Sequence, residues 1–178
     1  MNTVKDLLNI NKNKELYWVS PYDTVATAIQ KMSRHNLGAI LVIHKNEVVG
    51  IFSEQDYTRK ICLQGKAPQN TNIYEVMVPK IIYASSDYLL EECLAVMTQN
   101  HIRHLPIIDY GKILALLSIE EIVKAVLDDK EFIIDQLTKY VAGSPFVANK
   151  SECEARKKLV RELILDQREK YEKILSLA

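Results

Sequence analysis

Apolar residues along the chain fall into short runs of two kinds, spaced for helix or for strand, and the order of those runs repeats. Thr3 precedes Val4, Leu7 and Leu8, the spacing of a short helix over residues 3–8. Asn9 to Glu15 is polar and reads as a loop, and Tyr17-Trp18-Val19 reads as a short strand stopped by Ser20-Pro21. Thr24 then starts a helix whose apolar positions Val25, Ala28, Ile29 and Met32 share one face. Leu37-Gly38-Ala39-Ile40-Leu41-Val42-Ile43 is a continuous apolar run, the pattern of a strand buried on both faces. Lys45-Asn46-Glu47 turns it into Val48–Phe52, a hairpin signal, and a helix follows over roughly Glu54 to Leu63, ended near Gly65. The predicted unit is strand–helix–strand–strand–helix.

Gly65 to Asn72, with Pro68 and several Asn and Gln residues, is the best linker in the first half. After it the order recurs. Ile73–Met77 is a short helix closed by Pro79, Ile81–Ala84 a strand, and Leu89–Met97 an amphipathic helix. Leu105–Ile108 is a buried strand, Asp109-Tyr110-Gly111 a turn, and Ile113–Leu117 a strand. Ser118 opens a helix running to about Leu127. One shift of 65 residues carries Tyr17 onto Ile82, Met32 onto Met97 and Ser53 onto Ser118. A repeated supersecondary unit of about 50 residues buries its own sheet poorly, so two units packed sheet to sheet are expected. The predicted divisions are residues 1–15, a helix and linker; 16–66 and 67–130, the two repeats; and 131–178, a helical extension. In that extension Phe132, Ile133, Leu137 and Tyr140 share a face ended by Gly143-Ser144-Pro145. A last helix from about Ser151 carries Ala155, Leu159, Leu163, Tyr171 and Ile174 among many charges, its seam interrupted by Asp166 and Gln167. A helix of that length is marginal alone in water and is expected to pack on the core or on a second chain.

The candidate chemistry sits at the corner Val48-Val49-Gly50-Ile51-Phe52-Ser53-Glu54-Gln55-Asp56. A strand stops, and a Ser with an acid three residues later begins a helix, which is a capping box. Gly50 removes a side chain just before the corner, where a flat ligand could approach the backbone. Ser53 with the first helical N–H groups makes a small anion site, and Asp56 offers a carboxylate to the two hydroxyls of a ribose. The same residues are also an ordinary helix cap, and taken alone they carry both readings.

Composition narrows the classes. The hydrophobic and charged fractions, 48% and 26%, are those of a folded domain. Lys+Arg and Asp+Glu are equal at 23 each, so nothing global points to nucleic acid or an anionic membrane. No run approaches the roughly 18 apolar residues of a membrane span, and Met1–Asp6 has no apolar signal core; a cytoplasmic location is the expectation. Cys62, Cys93 and Cys153 are scattered, and His35, His44, His101 and His104 lack ligand spacing, so no disulfide framework or metal site is predicted. There is no P-loop, no GxGxxG and no nucleophile–base constellation. Glu91-Glu92 and Glu120-Glu121 read as helix surface and caps rather than a catalytic pair.

Gly50-Ile51-Phe52-Ser53-Glu54-Gln55-Asp56 and Arg103-His104-Leu105-Pro106-Ile107-Ile108-Asp109 resemble the two motifs of tandem cystathionine β-synthase (CBS) domains, in register within a twice-repeated order. The resemblance covers Thr3 to about Leu127 and is greatest to small stand-alone bacterial proteins of little more than one CBS pair. It implies an α/β (α+β) fold of two βαββα repeats, packed sheet to sheet with pseudo-twofold symmetry, followed by C-terminal helices. It also implies two clefts between the repeats. The first would join Gly50, Ser53 and Asp56 to Ser85, Leu90 and Ile102, with Arg103 and His104 near a phosphate. The second would use Ser20, Val25, Leu37, Gly38, Ala39, Ser118 and Glu121. It departs from the family pattern, because Ala115 and Glu121 stand where the first repeat has Gly50 and Asp56. Ser118-x-x-Glu121 reads equally as an unmodified capping box.

The expected function is a non-catalytic sensor that binds an adenosine-type nucleotide and reports it to a protein partner not identified by the sequence. AMP is the first candidate, with ATP, NAD and S-adenosylmethionine open. A homodimer is implied, with no nucleic acid, membrane, metal or catalytic residue. The alternative is a structural or interaction module of the same fold that docks through its C-terminal helix.

Overall fold

Two two-residue turns organise the strands. In the computed structural model of the chain, which describes residues 3–10 and 15–143 with the isolated positions 162, 169 and 173, Lys45 and Asn46 both have positive φ, at 49° and 67°. Two consecutive left-handed residues make the primed turn whose twist matches a tight hairpin. It joins β2 (Ala39–His44) to β3 (Glu47–Ser53), antiparallel from Ala39↔Ser53 to His44↔Glu47, with a register break between Val42 and Ile43. That break leaves Val49 as an extra residue on β3, next to Gly50. Tyr110 and Gly111, at φ 49° and 76°, repeat the turn between β4 (His104–Asp109) and β5 (Lys112–Ser118).

The shift of 65 residues holds at the level of backbone. β1 (Trp18–Val19) pairs parallel to β2 through Val19↔Val42, and the bridge Ala84↔Ile107 repeats it on β4. The helices α2 (Val25–His35) and α4 (Leu90–Gln99) start 65 residues apart, and the left-handed residues just beyond them, Asn36 and His101, both have φ 52°. Thr24 caps α2 by accepting from the Thr27 N–H, and Glu92 accepts from the Leu89 N–H at the start of α4. Only Ala84 of the expected strand Ile81–Ala84 is paired as a strand residue, and the expected helix Ile73–Met77 is a single 3₁₀ turn, Ile73–Glu75.

The repeats part company after their hairpins. Glu54–Tyr57 (α3) is α-helical, Thr58–Cys62 continues as a π-helical turn, and Gly65 at φ 63° ends the run. At the matching position the second repeat has Lys130, so its helix α5 runs from Ile119 to Gly143 without the break expected near Leu127. The expected boundary at 130/131 falls inside that helix. α1 (Val4–Ile10) ends two residues later than the spacing predicts. The expected helix from about Ser151, and Cys153 with it, lie outside the described residues.

The chain divides into two compact units. One comprises Asn11–Ser86 and His104–Leu117 and so holds β1 to β4 and β5 as far as Leu117. Its core is Val19, Val25, Ala28, Met32, Ile40, Val42, Phe52, Ile61, Ile73 and Val76, with α2 laid on the sheet β1–β2–β3. The Gly65–Asn72 segment does not hang free. Its carbonyls at Pro68 and Thr71 accept from Ala26 and Val25 at the start of α2, and Ile73 and Tyr74 donate to Asp23 and Pro21. The other unit contains α1, α4 and α5. There α4 packs on α5, with Leu90, Cys93, Leu94 and Met97 and with Ile119, Ile122, Val123 and Val126 buried, and Lys130 Nζ lies 3.1 Å from Glu91 Oε1. Val4 N–H donates to Tyr88 O, which ties α1 to the chain leading into α4.

Phe52 is the largest fully buried side chain of the first core. Phe52→Ala is expected to lower unfolding free energy by about 3–5 kcal/mol, measured by urea denaturation, while Tyr110→Ala at a fully exposed turn stays within about 0.5 kcal/mol. Burial, with Glu92 adding to it, pushes the Cys93 thiol up to about 11. The folded state therefore holds this proton more tightly than the unfolded one. The resulting stability is complete below the ordinary thiol range and drains away as pH rises through about 9 to 11. Peptide mapping after iodoacetamide treatment at pH 8 is expected to find exposed Cys62 alkylated in the native protein and Cys93 alkylated only after unfolding.

Candidate functional site

β3 ends where its hydrogen-bonding direction must turn into a helix, and Ser53 makes that turn in extended conformation, at φ −124° and ψ 165°. Its Oγ accepts the Asp56 N–H at 3.2 Å, while Asp56 Oδ2 accepts both the Ser53 N–H at 3.1 Å and the Ser53 hydroxyl at 2.6 Å. The reciprocal capping box is complete. Lys60, one helical turn on, sets its Nζ 2.8 Å from Asp56 Oδ1 and donates to the Val76 carbonyl at 2.7 Å. The Asp56 side chain is 15% exposed, so this carboxylate is half-enclosed and heavily hydrogen-bonded. The neighbouring backbone is also engaged, since Glu54 N–H donates to Gly38 O at 3.1 Å.

Gly50 owes its bareness to a neighbour in its own chain. A Cβ there would stand 2.6 Å from Met77 Sδ and 3.1 Å from Val78 O. Val78 lies along β3 and exchanges two backbone hydrogen bonds with Ile51, at 3.1 and 2.8 Å. The close approach that a glycine was expected to permit is thus occupied by the Met77-Val78 backbone and side chain.

The other expected site residues fall in both units. In the strand-containing unit, the His104 imidazole at the start of β4 lies against Gly38, where a Cβ would be 3.0 Å from Nε2. That contact joins a residue expected near the first cleft's phosphate to one expected in the second cleft. Ser20 N–H donates to Asp23 Oδ2 at 2.8 Å and its hydroxyl accepts from Tyr22 N–H, while Val25 and Ala39 are buried and Leu37 and Ser85 half-buried. Next to Ser85, Ser86 N–H donates to Asp109 Oδ1 at 2.9 Å. In the helical unit, Leu90 is buried at the start of α4 and Ile102 is half-buried, its N–H on Met97 O. Arg103 has an exposed side chain, and its carbonyl accepts the Ile119 N–H at 2.9 Å. Ser118 and Glu121 form their own cap, Glu121 Oε2 accepting Ser118 N–H at 2.9 Å and Ser118 Oγ accepting Glu121 N–H at 3.2 Å.

Sequence reasoning passed over Lys60 and the Val76–Val78 segment. The i,i+4 spacing of Asp56 and Lys60 was a usable signal for the first. Nothing in composition marks the second as a partner of β3. A further pairing, across the π-helical turn, is that of Tyr57 with Cys62, whose hydrogen bond raises the Tyr57 phenol above its ordinary range. Among the described residues there is no cluster of side chains able to hold a metal ion, and no helix is long and apolar enough to cross a membrane.

This corner, the hairpin and the repeated helix order define a CBS pair. The sequence matches the CBS domain twice, at residues 4–62 and 73–128, which is more than half of the chain. The chain belongs to the CBS domain family. It is 32% identical over 131 residues to the CBS domain-containing protein CBSX3, mitochondrial, of Arabidopsis thaliana, a match covering 71% of this chain and 64% of that longer protein. Among solved structures it is similar to a protein with CBS domains from Burkholderia ambifaria MC40-6, with 36% identity, a TM-score of 0.69, and coverage of 71% of this chain and 95% of that one. It shares the fold of the CBS domain pair of protein MJ0100, solved in complex with 5′-methylthioadenosine and S-adenosyl-L-methionine, at 22% identity and a TM-score of 0.61, over 70% of this chain and 94% of that one.

The packing at Gly50 generates its own test. Gly50→Ala is expected to destabilise the protein by about 1–3 kcal/mol in urea denaturation, because the Val78 carbonyl cannot yield as a side chain would. Adding Met77→Ala should recover part of that loss by removing the closer of the two obstacles.

Proposed function

We propose that this chain is a regulatory module that binds an adenosine-type nucleotide and performs no chemistry on it. The observation that carries the reading is the half-buried Asp56 carboxylate in the first turn of α3, fixed by its cap within the segment that resembles the CBS motif. A carboxylate held in one rotamer has already lost the freedom that ribose binding would otherwise take from it. AMP is the first candidate ligand, with ATP, NAD and S-adenosylmethionine as the other members of the class. Family membership supports that class, and the adenosine compounds bound by MJ0100 are an instance of it in a protein of the same fold.

In this reading Ser53, Asp56, Ser85, Leu90, Ile102, Arg103 and His104 serve the first position, and Gly50 serves it indirectly by letting the Met77-Val78 segment close on β3. Arg103 is the phosphate partner, since its planar fork matches phosphate oxygens and its side chain is exposed. Ser20, Val25, Leu37, Gly38, Ala39, Ser118 and Glu121 form a weaker second position, where Ala115 and Glu121 replace the glycine and aspartate. The protein acts as a cytoplasmic homodimer, and ligand binding is read by a protein partner through a difference in affinity for two conformations.

A second reading is favoured by the carboxylate's existing partners. Asp56 already serves Ser53 and Lys60, and α5 exposes Phe132, Ile133 and Leu137, as an interaction module docking through its C-terminal helices would. Calorimetry separates the two. AMP is expected to bind the wild type, and Asp56→Asn, which keeps an acceptor for the cap, is expected to weaken it tenfold or more, about 1.5–3 kcal/mol for bonds to a charged group. Equal affinity in the two proteins would remove Asp56 from the site, and no binding of any of the four nucleotides would leave the interaction module standing.

A further inference from the structure

Lys60 holds two partners that have no local reason to share it. An i,i+4 ion pair on an open helix face contributes little and needs no third group. Here the ammonium lies between Asp56 Oδ1 at 2.8 Å and the carbonyl of Val76, 16 residues further along, at 2.7 Å. Val76 is buried in the core, and two residues on Val78 is doubly hydrogen-bonded to Ile51 beside Gly50. One side chain therefore fastens the corner of β3 to the segment that runs along its free edge.

Counting acceptor positions makes the link consequential. A carboxylate has about four, two on each oxygen. Asp56 Oδ2 receives the Ser53 N–H and the Ser53 hydroxyl, and Oδ1 receives Lys60. A single position on Oδ1 is left, whereas the 2′ and 3′ hydroxyls of a ribose present two donors. One existing partner must leave. If the Ser53 hydroxyl turned its proton away, the cap would still hold its oxygen by the Asp56 N–H. That oxygen would then lie 2.6 Å from Oδ2 with no proton between the two, so the hydroxyl stays. Lys60, on a flexible and one-third exposed stem, can.

We propose that Lys60 is a positioning residue that couples ribose binding at Asp56 to the Val76–Val78 segment. Taking up both hydroxyls displaces the ammonium from Oδ1, the Val76 carbonyl loses its fixed partner, and the segment loosens along β3. This rests on the reading of Asp56 as the ribose acceptor. The position 65 residues on from Lys60 is Ala125, so the second repeat carries no lysine there.

The test compares wild type, Lys60→Met and Lys60→Arg, each first checked for a cooperative thermal transition. Calorimetry gives the ratio of affinities for AMP and 2′-deoxy-AMP, in which any effect of Lys60 on the phosphate cancels. The deoxy compound offers Asp56 one hydroxyl and needs no displacement. The ratio is expected to rise several-fold in Lys60→Met and to stay at the wild-type value in Lys60→Arg; an unchanged ratio in Lys60→Met overturns the displacement. Hydrogen exchange at the Ile51 and Val78 amides, referred to the β2 amides, is the second readout. It is expected to quicken in AMP-bound wild type and in ligand-free Lys60→Met, and unchanged exchange in Lys60→Met overturns the fastening. Were AMP not to bind the wild type, the nucleotide reading would fall by itself, and the exchange of ligand-free Lys60→Met would still decide whether Lys60 fastens the segment.

Discussion

The carboxylate of Asp56 ends a strand, begins a helix and anchors a lysine, and the local structure of the first repeat depends on those bonds being made together. A strand edge turning into a helix leaves N–H groups without partners, and a half-buried corner cannot leave them bare. Ser53 and Asp56 satisfy each other reciprocally, and Gly38 supplies a carbonyl from the start of β2. The corner thus ties β2, β3 and α3 into one piece, while Phe52 directly before it fills the core. Any ligand that uses the same carboxylate has to work within those commitments. That is the physical sense in which cap and site are one feature rather than rival explanations.

The two repeats use one backbone plan and differ where side chains decide something. Their hairpin turns, helix ends and strand pairings coincide at a shift of 65 residues. Gly50, against Met77, becomes Ala115, and Asp56 becomes the longer Glu121. Lys60 becomes Ala125, and Gly65, which halts the first helix, becomes Lys130, which lets the second continue and pairs with Glu91. Four substitutions thus separate a short, fastened corner from one that starts a long helix.

Strand and helix order, the caps and the repeat were legible because each is written within a few residues of itself. Thr24, Ser53 and Ser118 announced their helices, and Lys45-Asn46 announced a turn whose φ values require it. What escaped was non-local or cooperative. Ile81–Ala84 has the composition of a strand, but only Ala84 finds a ladder partner. Gly65–Asn72 has the composition of a linker, yet its carbonyls are taken by the start of α2, and nothing in its residues names that acceptor role. The bareness of Gly50 was legible, but not the reason, because Met77 and Val78 are 27 and 28 residues away. Of the site residues, those on the corner could be read together; Leu90, Ile102 and Arg103 sit in the other unit and entered only through the family resemblance.

The missing stop at Lys130 has a mechanical side. An α-helix of 25 residues is about 37 Å long, and among the described residues of α5 the buried ones lie between Ile119 and Val126. The described buried side chains seat its first two turns, and the Lys130–Glu91 pair lies just beyond them. A tilt of about 5° at the seat would sweep the far tip through about 3 Å by that length alone. A change too small to repack a core at the base arrives at Gly143 as a displacement the size of a hydrogen bond.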